Sequence, residues 1–158
     1  MGEVVKIKKI IQIRKQAKDE GKIVVFTNGC FDILHPGHIE CLQKAKEMGD
    51  ILIIGLNTDN SVKKLKGSSR PIFNESDRAK VLSAIRWVDY VVLFDDPTPQ
   101  KLIELLKPNI LVKGGDYEPE AVIGKEVVGN VVIIPLLPGY STTEIIKKVK
   151  MPKRSSKL

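Results

Sequence analysis

At 158 residues the chain has the length of one domain, enough to bury roughly 70% of its unfolded surface. Its 42% hydrophobic and 28% charged residues exclude a disordered or low-complexity chain, and no apolar run is long enough to cross a bilayer. A net charge of +7 would suit nucleic acid, but aromatics are few and no nucleic-acid motif is present, and a general positive field suits small polyanionic substrates equally well.

In chain order, a helix is expected from Lys6 to Lys18 with Ile7, Ile10 and Ile11 on one face and Gly21 beyond its end. Met1 leads into lysines rather than a leader, so a cytoplasmic location is expected. Strands follow at Ile23–Thr27 and Ile51–Leu56, separated by a loop and a helix that runs to about Met48. The second strand is apolar throughout, as in a parallel strand covered on both faces. The run Asn57-Thr58-Asp59-Asn60 caps a short helix through Leu65, and Lys66 to Pro71 form a flexible basic loop. A helix from Ser76 to Arg86 precedes a strand at Tyr90–Phe94, and a helix from Pro97 to Leu106 precedes one at Ile110–Val112. Gly114 to Gly129 reads as loop with one helical turn. A fifth strand at Val131–Ile134 and a helix after Ser141 complete the pattern.

Alternating apolar strands and amphipathic helices give an α/β fold, a single Rossmann-like, doubly wound parallel sheet of about five strands. The whole chain, 1–158, reads as one domain: an N-terminal helix to 21, a core over 22–148 and a basic tail over 149–158. The closing Ser156-Lys157-Leu158 matches a peroxisomal address and is read as coincidence. Cys30 and Cys41 are too few for a disulfide framework and are read as reduced thiols.

The most telling segment is Thr27-Asn-Gly-Cys-Phe-Asp-Ile-Leu-His35-Pro36-Gly37-His38, which holds both histidines of the chain at a strand-to-helix junction. Residues three apart share a helical face, so His35 and His38 can address one ligand. The helix start behind them offers free N–H groups and the positive end of the dipole, a site for phosphate. Cys30-x4-His35-x2-His38-x2-Cys41 also has zinc-like spacing. Cys30 ends a strand while Cys41 lies a turn beyond His38, so one metal would distort both, and no protein-held metal is expected. The Walker pattern is absent, since Gly124-Lys125 is followed by Glu126, and no G-x-G-x-x-G follows the first strand.

The Gly-Cys-Phe-Asp and His35-x-Gly37-His38 run, with Gly139-Tyr140-Ser141-Thr142-Thr143 opening a late helix, resembles the cytidylyltransferase-like branch of the nucleotidyltransferase superfamily. Further stretches extend the likeness: Asn57-Thr58-Asp59, Val62 to Gly67, Arg70-Pro71, Arg78, Arg86-x-Val88-Asp89 and Val112 to Tyr117. These are similar to the D-glycero-β-D-manno-heptose 1-phosphate adenylyltransferases, over about Lys22 to Lys148. Those enzymes often occur fused to a sugar kinase.

The resemblance implies ATP and a sugar 1-phosphate as substrates, ADP-heptose for lipopolysaccharide or surface glycan as product, and Mg²⁺ carried by the triphosphate. It implies a homodimer, a heptose kinase in the same pathway, and no nucleic-acid or membrane partner. It makes His35, His38, Lys66 and Arg86 the catalytic candidates, with Lys66 taken from the trio Lys63, Lys64 and Lys66. For the nucleotide it implies Asn28, Gly29, Cys30, Phe31, Gly37, His38, Lys113, Gly114, Asp116, Tyr140, Ser141, Thr142 and Thr143. For the acceptor it implies Asp32, Asn57, Asp59 and Arg78.

Gly115 stands where related glycerol-3-phosphate cytidylyltransferases carry another acidic residue. Leu136-Leu137 occupy a position where some relatives place an arginine, and Lys147 one where pantetheine-phosphate adenylyltransferases have a motif arginine. These differences favour the heptose branch and leave the choice of base open. CTP transfer to glycerol 3-phosphate or another alcohol phosphate is the alternative within the class, and a non-catalytic nucleotide-binding module and a basic RNA-binding module are the rivals outside it.

Overall fold

The computed structural model describes residues 1–151. The core is a six-stranded parallel sheet in the order β1-β4-β3-β2-β5-β6. Its strands are β1 (Glu3–Val5), β2 (Val24–Gly29), β3 (Ile51–Asn57), β4 (Tyr90–Phe94), β5 (Ile110–Gly114) and β6 (Val131–Ile134). The helices are α1 (Ile7–Asp19), α2 (Pro36–Glu47), α3 (Asp59–Lys66), α4 (Glu75–Ser83), α5 (Gln100–Leu106) and α6 (Thr142–Lys150). A 3₁₀ turn at Pro119–Ala121 is the one helical turn expected in the long loop.

The sixth strand is the correction to the five expected. β1 pairs with β4 alone, Glu3 opposite Tyr90 and Val5 opposite Val92, at the edge of the sheet. Three residues are too few to show a strand period, so the segment expected to be helix alone begins with a strand.

Side-chain alternation sorts the strands into two faces. Val24, Phe26 and Ile53 pack on one side with Ile10 and Ala17 of α1 and Leu102, Ile103 and Leu106 of α5. Val25, Leu52 and Ile54 pack on the other with Leu42 and Ala45 of α2 and Ala79 and Leu82 of α4. Burial on both faces explains the continuous apolar runs. On α1 the inward stripe is Ile10, Ile13 and Ala17, whereas Ile7 is 39% exposed, so that face is rotated from the one expected. Arg14 joins the helices on that side by donating from Nε to Leu106 O at 3.0 Å and from Nη2 to Lys107 O at 2.8 Å, satisfying carbonyls at the end of α5.

Two helix bounds also differ from the expected ones. α4 ends at Ser83, and the chain turns so that Val88 is buried before β4 begins. α5 begins at Gln100 rather than Pro97. The basic tail expected from 149 begins inside α6, which runs to Lys150. Its remainder beyond residue 151, with Ser156-Lys157-Leu158, lies outside the described residues.

From β2 the chain builds β3 and β4 to one side and then places β5 and β6 on the other. The order reverses between β2 and β5, and the crevice beyond their carboxyl ends is where an open α/β sheet binds its ligand. The histidine loop leaves β2 at that point.

Candidate active site

β2 delivers Asn28 and Gly29 to its carboxyl end, followed by Cys30 and Phe31. Phe31 takes a positive φ of 45°, uncommon for a side chain of its size. The turn sets its ring 5.3 Å from that of His38, at 54°. Asp32 comes next and is buried. Its carboxylate accepts from Arg70 Nε at 2.6 Å and from the backbone N–H groups of Ile72 at 2.8 Å and Phe73 at 3.0 Å. Burial alone would raise its pKa, but the Phe73 and Ile72 N–H groups and the Arg70 guanidinium outweigh burial and hold it below the usual carboxylate value. The loop expected to be flexible, Lys66 to Pro71, is therefore tied to the histidine loop at Arg70, and the chain just beyond it at Ile72 and Phe73.

His35 is the N-cap residue of α2, with extended backbone, and Pro36 occupies the first helical position. The imidazoles of His35 and His38 stack with centroids 3.8 Å apart and planes 28° apart. Gly37 allows this packing: a β-carbon there would stand 3.1 Å from Cε1 and Nδ1 of His35. Burial holds His35 below the ordinary histidine value; burial and then the charge of His35 bring His38 down to about 4. Both rings are thus neutral at pH 7, and Nδ1 of each is buried without a hydrogen-bond partner among the described residues. Two stacked rings do not converge on one ion as zinc ligands would. Among the described residues no three His, Cys, Asp or Glu side chains are grouped to hold a metal.

The late motif reaches the same place. Gly139 turns the chain with φ +83°, and Ser141 caps α6 by accepting from Glu144 N–H at 3.1 Å. Thr142 Oγ1 donates to Ile33 O at 3.3 Å across 109 positions of sequence, and Tyr140 lies over His35. Thr143, in the first turn of α6, is exposed. The start of a second helix therefore adjoins the histidine pair.

β5 forms the other wall. Gly114 closes that strand, and a β-carbon there would stand 3.2 Å from the Cys41 thiol on α2. Lys113 is half-buried, with Nζ 5.6 Å from the centre of the Tyr117 ring, and burial pulls its pKa below the ordinary lysine value. Asp116 is exposed beyond the strand.

The remaining candidates divide. Arg78, 2% exposed, donates to Phe73 O, Cys30 O, Asn57 O and Asp59 Oδ1 at 2.7–3.0 Å. Asn57 Nδ2 donates to Ser61 Oγ at 3.0 Å. Asp32, Asn57, Asp59 and Arg78, read as acceptor ligands, are thus committed to protein partners and shape the crevice from behind. Lys66 is the exposed last residue of α3, and its charge reaches Cys30. Arg86 is a correction: it lies beyond α4, exposed, with its guanidinium 5.6 Å from the Trp87 ring. That segment leads into the amino end of β4, the edge of the sheet opposite the crevice, so Arg86 is not among the residues brought together.

Arg70 and Tyr117 join the site without having been given a role from sequence. A lone arginine in a Gly-Ser loop and an aromatic ring after two glycines were their only signals. A cavity of about 390 Å³ opens beside the loop, lined mainly by Phe31, Ile33, Leu34, Phe73 and Val81; Asp32 and Arg78 reach it, but the histidines do not.

A family profile described as cytidylyltransferase-like matches residues 26–148. "Bifunctional protein HldE" of Geotalea uraniireducens is 54% identical over 142 residues, covering 87% of this chain and 29% of that protein. Its namesake in Citrifermentans bemidjiense is 58% identical over 133 residues, covering 82% and 27%. The chain therefore spans less than a third of the length of these curated relatives. Among solved structures, a lipopolysaccharide core biosynthesis protein from Thermoplasma volcanium matches with TM-score 0.62 and 31% identity, over 74% of this chain and 98% of that one. The pantoate-beta-alanine ligase of Francisella tularensis shares the fold at TM-score 0.64 and 16% identity, over 94% and 78%. With most of its length inside one profile and both motifs gathered at one crevice, the chain belongs to the cytidylyltransferase-like family.

Proposed function

We propose that the protein transfers an adenylyl group from ATP to heptose 1-phosphate, forming ADP-heptose for lipopolysaccharide or a surface glycan. The observation that carries this reading is the stacked His35–His38 pair beside the start of α6, in a chain more than half identical to bifunctional HldE proteins.

The chemistry suits this crevice. A phosphate oxygen of the acceptor forms the new bond to the α-phosphorus of ATP. The bond from that phosphorus to the bridging oxygen of the β-phosphate breaks, and pyrophosphate leaves with the electron pair. A phosphate monoester has its second pKa near 6 and attacks as an oxyanion, so no general base is needed. The site's task is alignment and donors for the charge that builds on the phosphates. His35 and His38, Lys113, Lys66 and the N–H groups opening α2 and α6 are the donors proposed. Mg²⁺ carried by the triphosphate would neutralise phosphate charge, and the nearby Asp32 carboxylate is already satisfied by three protein groups. A sugar kinase activity is the proposed source of the acceptor.

The test is pyrophosphate release from ATP or CTP in the presence of D-glycero-β-D-manno-heptose 1-phosphate or glycerol 3-phosphate. ATP with heptose 1-phosphate is the productive pair expected. Faster use of CTP, or of glycerol 3-phosphate, would overturn the assignment.

A further inference from the structure

We infer that Arg70 grips the phosphate of the acceptor, an inference that rests on the proposed transfer for the identity of that phosphate. Three cations lie close enough to influence the Cys30 thiol at the carboxyl end of β2: Lys66, Arg78 and Arg70. Their donors are not equally available. Arg78 spends its guanidinium on three carbonyls and the Asp59 carboxylate. Lys66 is exposed at the end of a helix and carries a single charged nitrogen on a flexible stem.

Arg70 combines a fixed position with free donors. Its side chain is only 13% exposed, and Nε is held by Asp32 Oδ2 at 2.6 Å. Neither terminal nitrogen donates to any of the described residues. The backbone just beyond it is pinned as well, because Ile72 and Phe73 donate to the same carboxylate. Asp32 thus draws on two N–H groups besides Arg70, and the outer end of the guanidinium keeps its charge for a second anion. A guanidinium with Nε engaged still presents Nη1 and Nη2, a fork that matches two oxygens of a phosphate. One acceptor oxygen attacks the α-phosphorus while Arg70 holds the others. Asp32 then acts as a positioning residue through Arg70 and does not contact the sugar.

The experiment compares wild-type protein with Arg70→Ala and Arg70→Lys. Acceptor KM is measured at saturating ATP, ATP affinity by calorimetry, and inorganic phosphate binding by amide chemical shifts. Arg70→Ala is expected to raise acceptor KM at least about tenfold and to weaken phosphate binding, with ATP affinity held within about twofold; Arg70→Lys should recover only part, having charge without the fork. Unchanged acceptor KM, or an equal loss of ATP affinity, overturns the inference. If Arg70→Ala does not fold, Arg70→Lys decides: a rise of roughly fivefold supports the inference and no rise overturns it. If wild-type protein turns over no sugar 1-phosphate, the transferase reading fails separately. Arg70 is then judged by inorganic phosphate alone, whose loss in the variants supports an oxyanion site and whose equal binding overturns it.

Discussion

Tyr140 lies over His35, with ring centroids 6.2 Å apart and planes 22° apart, so the two motifs of the chain meet as stacked rings. His38 stacks on the far partner of that contact, at 3.8 Å from His35. Removing a donor aimed at developing charge should lower kcat of His35→Ala and His38→Ala by on the order of 10²–10³, with far smaller changes in ATP affinity. Tyr140→Ala should cost about tenfold in kcat through loss of ring positioning, while Tyr140→Phe should stay close to wild type. Near-normal turnover in either histidine variant would remove that residue from the catalytic group.

The depressed histidines make stability depend on pH. An unfolded histidine takes up its proton near 6.5, whereas His38 in the fold resists until about 4 because of burial and then the neighbouring ring. The unfolded chain therefore binds more protons in this window. The stabilisation is complete above about pH 6.5 and lost as pH falls toward 4, by on the order of 3 kcal/mol. Urea denaturation across that range should show the loss, and His38→Ala should flatten it. Bound nucleotide should raise the titration midpoints of both rings, since phosphate favours imidazolium; unchanged midpoints in a proton NMR titration would contradict the placement.

Gly37→Ala should separate activity from stability. Its new methyl group would crowd the His35 ring at 3.1 Å, which displaces the imidazole by a few tenths of an ångström without opening the core. Loss of kcat by about tenfold with a small change in melting temperature is the expected pattern. Gly115→Asp is more severe: φ is +135° and a β-carbon would stand 2.7 Å from the Tyr117 ring. It should hurt ATP use more than CTP use, as read by competition between the two nucleotides.

Arg78→Met should destabilise the protein by about 3–5 kcal/mol, because it strands the Asp59 carboxylate and the Cys30, Asn57 and Phe73 carbonyls. Arg78→Lys should recover only part. A change within about 0.5 kcal/mol in chemical denaturation would mean the arginine is not the bracket described.

EDTA should abolish turnover, and Mg²⁺ should restore it without stoichiometric zinc. One tightly bound zinc per chain, found by elemental analysis, would revive the Cys-His alternative.

Much of this architecture is legible in sequence where one local signal dominates. Ile51–Leu56 reads as a strand because both faces are buried, and α2 is marked by Pro36 at its first position and ends within a residue of expectation. The end of α4 was not legible, since no glycine or proline marks it and the turn is driven by burying Val88. At the site, the meeting of the two motifs followed from strand-to-helix junctions. The inward roles of Asp32 and Arg78 did not follow, because Arg70 lies 38 positions from Asp32 and Cys30 lies 48 from Arg78. A charge that turns toward distant backbone looks, in sequence, the same as one that turns toward a ligand.

The three-residue edge strand has a practical consequence. Glu3 sits opposite Tyr90, the first residue of β4, in a parallel pair, so the polypeptide comes into β1 from the amino-end side of the sheet. The crevice opens at the opposite, carboxyl ends of the strands. An affinity tag or a fused domain placed ahead of Met1 would therefore join on the side remote from the substrates, leaving the mouth of the crevice unobstructed.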